Sequence, residues 1–218
     1  VGYVKAIRDI CRDNSVLFIA DEVATGFGHT GRMWACEHDG VQPDLMCVGK
    51  GITGGYLPLA ATFATEEIFS TFLGSYGEFK SFFHGHTYTG NPLGCAVALA
   101  GLDIFEREAL MEKVPPKVAW LDDRLRKDIL TLPHVREVRQ RGFMVGMELV
   151  KDKERGEPFD PSVRIANQVV LEARRRGVIV RPLGDTLIML PPLTISDAEL
   201  ATLVEVVRDS IRQVAGTS

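Results

Sequence analysis

Two short, uninterrupted apolar runs constrain the fold of this chain more than any other feature. Residues 16–20 read Val-Leu-Phe-Ile-Ala and residues 45–48 read Leu-Met-Cys-Val. Such runs are the signature of strands covered on both faces, as in the parallel sheet of an α/β protein. Each run leads into charge. The first passes into Asp21-Glu22 and the second into Gly49-Lys50-Gly51. In open α/β sheets ligands bind at the C-terminal edge of the strands, so a carboxylate and an amine are expected at one edge. A third strand-like run covers residues 59–64.

Glycine is crowded into the same region. Fourteen of the 21 glycines fall between Gly26 and Gly101, more than twice the usual density of about 7%. The apolar runs between them exclude disorder. Ahead of the first strand, Val4, Ile7, Ile10 and Cys11 recur at helical spacing until Asp13-Asn14-Ser15 break the pattern. Asn91 is placed to cap a helix with Pro92 at its first position, and Leu93, Ala96, Val97, Ala100 and Ile104 form its apolar stripe. Val114-Pro115-Pro116 reads as a junction, dividing a domain at 1–112 from a smaller α+β domain at 113–218. The second domain is expected to hold a helix over 117–130 and strands over 135–140 and 143–150. Next comes a helix opened by Asp160-Pro161 and closed at Gly177, then strands over 178–181 and 186–190. Ser196 and Glu199 form a capping box for the last helix.

Composition narrows the partners. The 218 residues carry 25 basic and 29 acidic side chains, a formal net charge of -4. This mildly acidic balance, without a basic tail, argues against nucleic acid. No apolar run approaches the roughly 20 residues of a membrane span, so no membrane partner is expected. Four cysteines without a CxxC pair fit reduced, cytoplasmic thiols better than a disulfide framework.

Several motifs fail on their context. Gly26-Phe27-Gly28-His29-Thr30-Gly31 matches GxGxxG, but Pro43 follows only 12 residues later and the next strand ends in lysine, which does not suit a dinucleotide site. Gly49-Lys50 lacks the first glycine and the Ser/Thr of a phosphate loop. His84-Gly85-His86 has no third ligand at a recognisable spacing, so no metal is expected. The Arg174-Arg175-Arg176 run suits a solvated helix C-terminus.

Asp21 and Lys50 remain. Alone, each has an ordinary role, as a helix cap and a solvated cation. Together at two strand ends they suggest chemistry. A lysine in a partly dry site becomes a usable amine nucleophile, and a neighbouring carboxylate can hold a cationic ring nitrogen. Pyridoxal phosphate (PLP) needs both groups.

Three blocks then carry a family resemblance: Ala20-Asp21-Glu22-Val23-Ala24-Thr25-Gly26-Phe27-Gly28, Pro43-Asp44 through Gly49-Lys50, and His84-Gly85-His86-Thr87-Tyr88-Thr89-Gly90-Asn91-Pro92. In this order and spacing they resemble the class III aminotransferases of the fold type I PLP group. The resemblance implies an α/β chain that is the C-terminal part of a fold type I PLP-dependent transferase. Residues 1–112 would form a partial PLP-binding large domain, with its sheet incomplete, and 113–218 the small C-terminal α+β domain. Only the second half of the family's usual length is covered, so the Gly-Ser phosphate cup and the ring-stacking aromatic are expected outside these residues.

Within the family, Ala24 in place of glutamine is similar to the biotin-pathway branch. So is Val180-Arg181-Pro182-Leu183-Gly184 followed by Leu190-Pro191-Pro192-Leu193. That branch implies amino transfer to the keto acid 8-amino-7-oxononanoate, giving 7,8-diaminononanoate, with S-adenosylmethionine as amino donor. Another ω-amine branch, or a fragment without activity, are the alternatives. The family also implies a cytoplasmic homodimer with shared active sites.

Carried over by position, Lys50 would bond the PLP aldehyde, move the proton and meet the substrate. Asp21 would pair with the ring nitrogen and Val23 would cover a ring face. Thr87 would bind phosphate in the partner subunit's site, with His86 assisting through its backbone. Gly85 would border the substrate, and Arg181 would clamp its carboxylate by a bidentate pair. His29 and His86 depart from the family, which usually has Arg at the first position and often Pro at the second.

Overall fold

A computed structural model describes residues 2–216. The chain divides into two compact units, Val1–Ala109 and Leu110–Ser218.

The first unit holds α1 (Tyr3–Asp13), β1 (Ile19–Asp21), β2 (Leu45–Val48), β3 (Ala61–Ala64), α2 (Glu66–Ser70) and α3 (Pro92–Arg107). Its sheet has the order β1-β2-β3. β1 and β2 are parallel, with Ile19 opposite Leu45 and Asp21 opposite Cys47. β3 returns antiparallel, with Ala61 opposite Val48. Two aspartates fasten the start of the unit. Both carboxylate oxygens of Asp44 accept from Arg8 at 2.9 Å, and one also takes the Phe18 N–H at 2.7 Å. Asp39 accepts from the backbone N–H groups of Gly2, Val4 and Lys5, replacing the side-chain cap that α1 lacks.

Two expectations for this unit need correction. The first strand begins at Ile19 rather than at residue 16, and it is not covered on both faces: Val16, Leu17 and Ile19 are 56–59% exposed. β1 has one strand neighbour, and α1 packs on the 3-10 turn Ala35–Asp39. In α3 the capping reading holds, since the Asn91 side chain accepts from the Leu93 and Gly94 N–H groups. The expected stripe does not hold. Leu93 is 68% exposed, whereas Gly94 and Ala98 are buried. A Cβ on Gly94 would already lie 3.5 Å from Leu59, and one on Gly101 would lie 3.6 Å from the Ile52 carbonyl. The small residues face inward because they let the helix approach the polypeptide beneath it.

The second unit holds α4 (Leu110–Arg124), β4 (Val135–Arg141), β5 (Met144–Leu149), α5 (Ile165–Arg175), β6 (Arg181–Leu183), β7 (Thr186–Met189) and α6 (Asp197–Ala215). Its antiparallel sheet has the order β4-β5-β7-β6. Leu121, Phe143, Met147, Ile165, Leu187 and Leu200 are among the fully buried side chains of its core. The capping box of α6 forms as expected. Ser196 Oγ accepts from Glu199 N at 3.2 Å, and Glu199 Oε2 accepts from Ser196 N at 2.9 Å.

Pro115 and Pro116 sit inside α4 rather than in a linker. Buried Val114 and Leu121 on either side anchor the helix to the core, which offsets the two absent N–H donors. Asp160 and Pro161 open a 3-10 turn, Pro161–Val163, and not α5 itself, because Arg164 at φ 50° interrupts the helical path. The next strand begins at Arg181 rather than 178. Val178 N donates to Ala173 O at 2.9 Å, beyond Gly177 at φ 86°, so it closes the helix instead of joining the sheet.

Candidate active site

The parallel register of β1 and β2 brings Asp21 beside Cys47, three residues before Lys50. Asp21 Oδ1 accepts from the Val23 N–H at 3.0 Å, the local bond of an Asx turn. Its other oxygen has no protein partner among the described residues. Lys50 opens the 3-10 turn Lys50–Thr53 with its backbone in the left-handed region, φ 41°. Its amine makes no hydrogen bond or ion pair among the described residues. The sequence places it in a partly dry site; in the structure its side chain is exposed.

The chain around Lys50 is held from beneath. A Cβ on Gly49 would lie 3.4 Å from Val23 Cγ1, so Val23 lies against the strand end that carries the lysine. A Cβ on Gly51 would lie 2.8 Å from Phe27 Cβ. Phe27 is buried, edge-on to Trp34 at 5.0 Å and near Phe105 at 6.4 Å. Residues 26–31 form turns with no helix opening at them, and His29 Nδ1 folds back to within 3.3 Å of the Gly26 carbonyl.

Glu22, which sequence reasoning passed over, is 2% exposed. Its Oε1 accepts from Cys36 N at 2.8 Å, and its Oε2 accepts from Ala35 N at 3.0 Å and from the Thr25 hydroxyl. Burial pushes the Cys36 thiol up to about 11, with the neighbouring Glu22 charge adding to the rise. The sequence signals for Glu22 are its place directly after Asp21 and a hydroxyl three residues on at Thr25, since its two backbone partners lie 13 and 14 residues away.

Gly85, His86 and Thr87 lie together in an exposed turn ahead of α3. His86 N donates to Thr89 Oγ1 at 3.1 Å, and Tyr88 N donates to His86 Nδ1 at 3.1 Å. No hydrogen bond among the described residues joins this turn to Asp21 or Lys50. Arg181 is the first residue of β6, opposite Ile188 on β7, exposed and without an ion pair among the described residues. It belongs to the second unit. No group of three or more His, Cys, Asp or Glu side chains arranged for a metal occurs among the described residues. No described helix is long and apolar enough to cross a membrane. All four cysteines are free thiols.

Comparison with known proteins gives a consistent result. The adenosylmethionine-8-amino-7-oxononanoate aminotransferases of Nitratidesulfovibrio vulgaris and Aquifex aeolicus are 55% and 51% identical to this chain over 96% and 98% of it. The chain covers 39% and 47% of those proteins, so it spans half of their length or less. The crystal structure of adenosylmethionine-8-amino-7-oxononanoate aminotransferase from Methanocaldococcus jannaschii aligns with a TM-score of 0.94 at 46% identity. That match covers 98% of this chain and 49% of the other. An amine transaminase from an uncultivated Pseudomonas species, solved in its PLP-bound form, gives 0.91 at 38% identity, covering 98% and 48%. The mixed α/β architecture is thus that of about half of a transaminase. The aminotransferase class-III family model matches residues 1–211, in the same stretch of chain that sets Asp21 and Lys50 at neighbouring strand ends, and the chain belongs to that family.

Proposed function

We propose that this chain carries the cofactor lysine of a PLP-dependent aminotransferase that converts 8-amino-7-oxononanoate to 7,8-diaminononanoate in biotin biosynthesis, with S-adenosylmethionine as amino donor. One observation carries the chemistry: an amine and one oxygen of a carboxylate, each without a partner among the described residues, stand at the C-terminal ends of adjacent parallel strands. This donor set fits PLP. The relatives' names support the substrate, and the PLP-bound relative supports the cofactor.

When bound, PLP supplies an aldehyde that takes up the amino group and a ring that stabilises the electron pair left on the substrate carbon. Lys50 Nζ would hold the cofactor covalently and afterwards carry the proton between substrate and cofactor carbons. Asp21 would keep a proton on the ring nitrogen, and Val23 would shield one ring face. Thr87 and His86 would serve the phosphate of the partner subunit's site, and Gly85 would border the substrate. Arg181 would take the keto acid's carboxylate. These assignments imply a homodimer with shared active sites, working in the cytoplasm. Residues 1–112 then act as part of the PLP-binding domain and 113–218 as the small domain.

Borohydride reduction of the complete gene product in the presence of PLP, followed by peptide mapping, tests the reading. The expected result is a pyridoxyl adduct on Lys50; an adduct on another lysine overturns it.

A further inference from the structure

Glu22 uses every polar group it has. Its N–H donates to the Cys47 carbonyl at 2.8 Å, extending the β1–β2 ladder by one residue. Its carbonyl accepts from Gly26 N at 2.9 Å. Both carboxylate oxygens are engaged by Cys36 N, Ala35 N and the Thr25 hydroxyl. At 2% exposure the side chain has no surface left for a ligand. Yet it stands between Asp21 and Val23, the two residues whose directions matter most if PLP lies at this edge. Burying a carboxylate where an apolar side chain would fill the space is costly, unless its hydrogen bonds fix something that packing cannot. Here two of them span 13 and 14 residues and tie the strand end to the Ala35–Asp39 turn.

We propose that Glu22 is a positioning residue: by bonding the end of β1 to the backbone of Ala35 and Cys36, it fixes the directions of Asp21 and Val23 toward PLP without meeting PLP itself. This rests on Asp21 holding the ring nitrogen. Three fixed points act on a segment of five residues. The ladder bond to Cys47 sets its height, the Gly26 bond closes the turn, and the carboxylate prevents rotation about the strand axis.

The test uses the complete gene product and PLP as the probe, titrated by visible absorbance at a temperature where circular dichroism shows each variant folded. Glu22→Gln keeps the size of the side chain but turns an NH2 toward a backbone N–H. Its PLP dissociation constant is expected to rise about tenfold or more. Thr25→Val removes one donor and leaves the carboxylate in place, so a smaller, severalfold rise is expected. Amide exchange at residues 35 and 36 should quicken in both. Faster exchange with unchanged PLP affinity in both variants overturns the proposal, because Glu22 then supports the loop alone. Should Glu22→Gln fail to fold, Thr25→Val decides by the same two readings. Asp21→Ala separates the inference from its premise. If Asp21→Ala weakens PLP binding while the other two do not, only the role of Glu22 falls. If Asp21→Ala binds PLP as before, the role of Asp21 falls and that of Glu22 with it.

Discussion

A side chain at position 51 has no room. A Cβ there would lie 2.8 Å from Phe27 Cβ and 3.0 Å from its ring, and Phe27 is buried beside Trp34 and Phe105. Gly51→Ala should therefore destabilise the chain by about 1–3 kcal/mol, the usual cost of overpacking, and shift the turn that carries Lys50. Gly55 is the control. It has φ +82° with nothing within 4 Å, so alanine there costs only left-handed strain, about 1–2 kcal/mol. Denaturant unfolding should show both losses. Borohydride labelling of Lys50 should fall in Gly51→Ala and persist in Gly55→Ala; equal labelling in the two would dissociate Phe27 from the lysine turn. At this scale the sequence was legible in placing Asp21 and Lys50 at two strand ends, because each follows directly on an apolar run. The surroundings of Glu22 and Phe27 were not, because Ala35 and Cys36 for the one and Phe105 for the other lie too far along the chain for a local pattern to connect.

Among the elements, α1 depends on a residue outside itself. Gly2 offers no side-chain cap, and Asp39 accepts the first N–H groups in its place. Those bonds, from Gly2 first and then Lys5 and Val4, hold the Asp39 carboxyl below its ordinary value of 3.8. The sign follows from linkage. A carboxyl lowered by folding contributes stability above its unfolded value, and that contribution is lost as pH falls through the folded one. Relative to the intrinsic rate at each pH, amide exchange over residues 3–13 should accordingly quicken on acidification below the ordinary aspartate range. Asp39→Ala should show the quick exchange already at neutral pH, with little further response to acid. Caps encoded within a few residues, such as Asn91 on α3 and Ser196 with Glu199 on α6, could be read from the sequence. The buried face of α3 could not. A stripe of large apolar residues looks like the inner face, but Gly94 and Ala98 take it because backbone approach, rather than side-chain area, decides the packing there.

The two units differ in how far each completes its own core. Phe143, Leu121, Ile165, Leu187 and Leu200 are fully buried in the second, whereas Val48 alone represents the first among the largest such side chains described. The first unit also exposes Phe69, Phe72, Tyr76, Phe79, Phe82 and Phe83, from 39% to 92%. Exposed apolar area with few buried contacts marks a segment that opens locally at low free-energy cost. Chymotrypsin reads this difference, since it cuts after aromatic residues in accessible backbone. The second unit has three aromatic residues: Phe143 and Phe159 are buried, and Trp120 lies within α4. Limited digestion should cut first between residues 69 and 88 and leave a persistent fragment ending in α6, as mass spectrometry would show. An earliest cut at Phe143 or Phe159 would mean that the antiparallel unit opens more readily than its burial implies. The proposed division of labour needs the predicted order. On the roles proposed, Arg181 would be presented from a scaffold that stays closed, while Lys50 and Asp21 lie at an accessible strand edge.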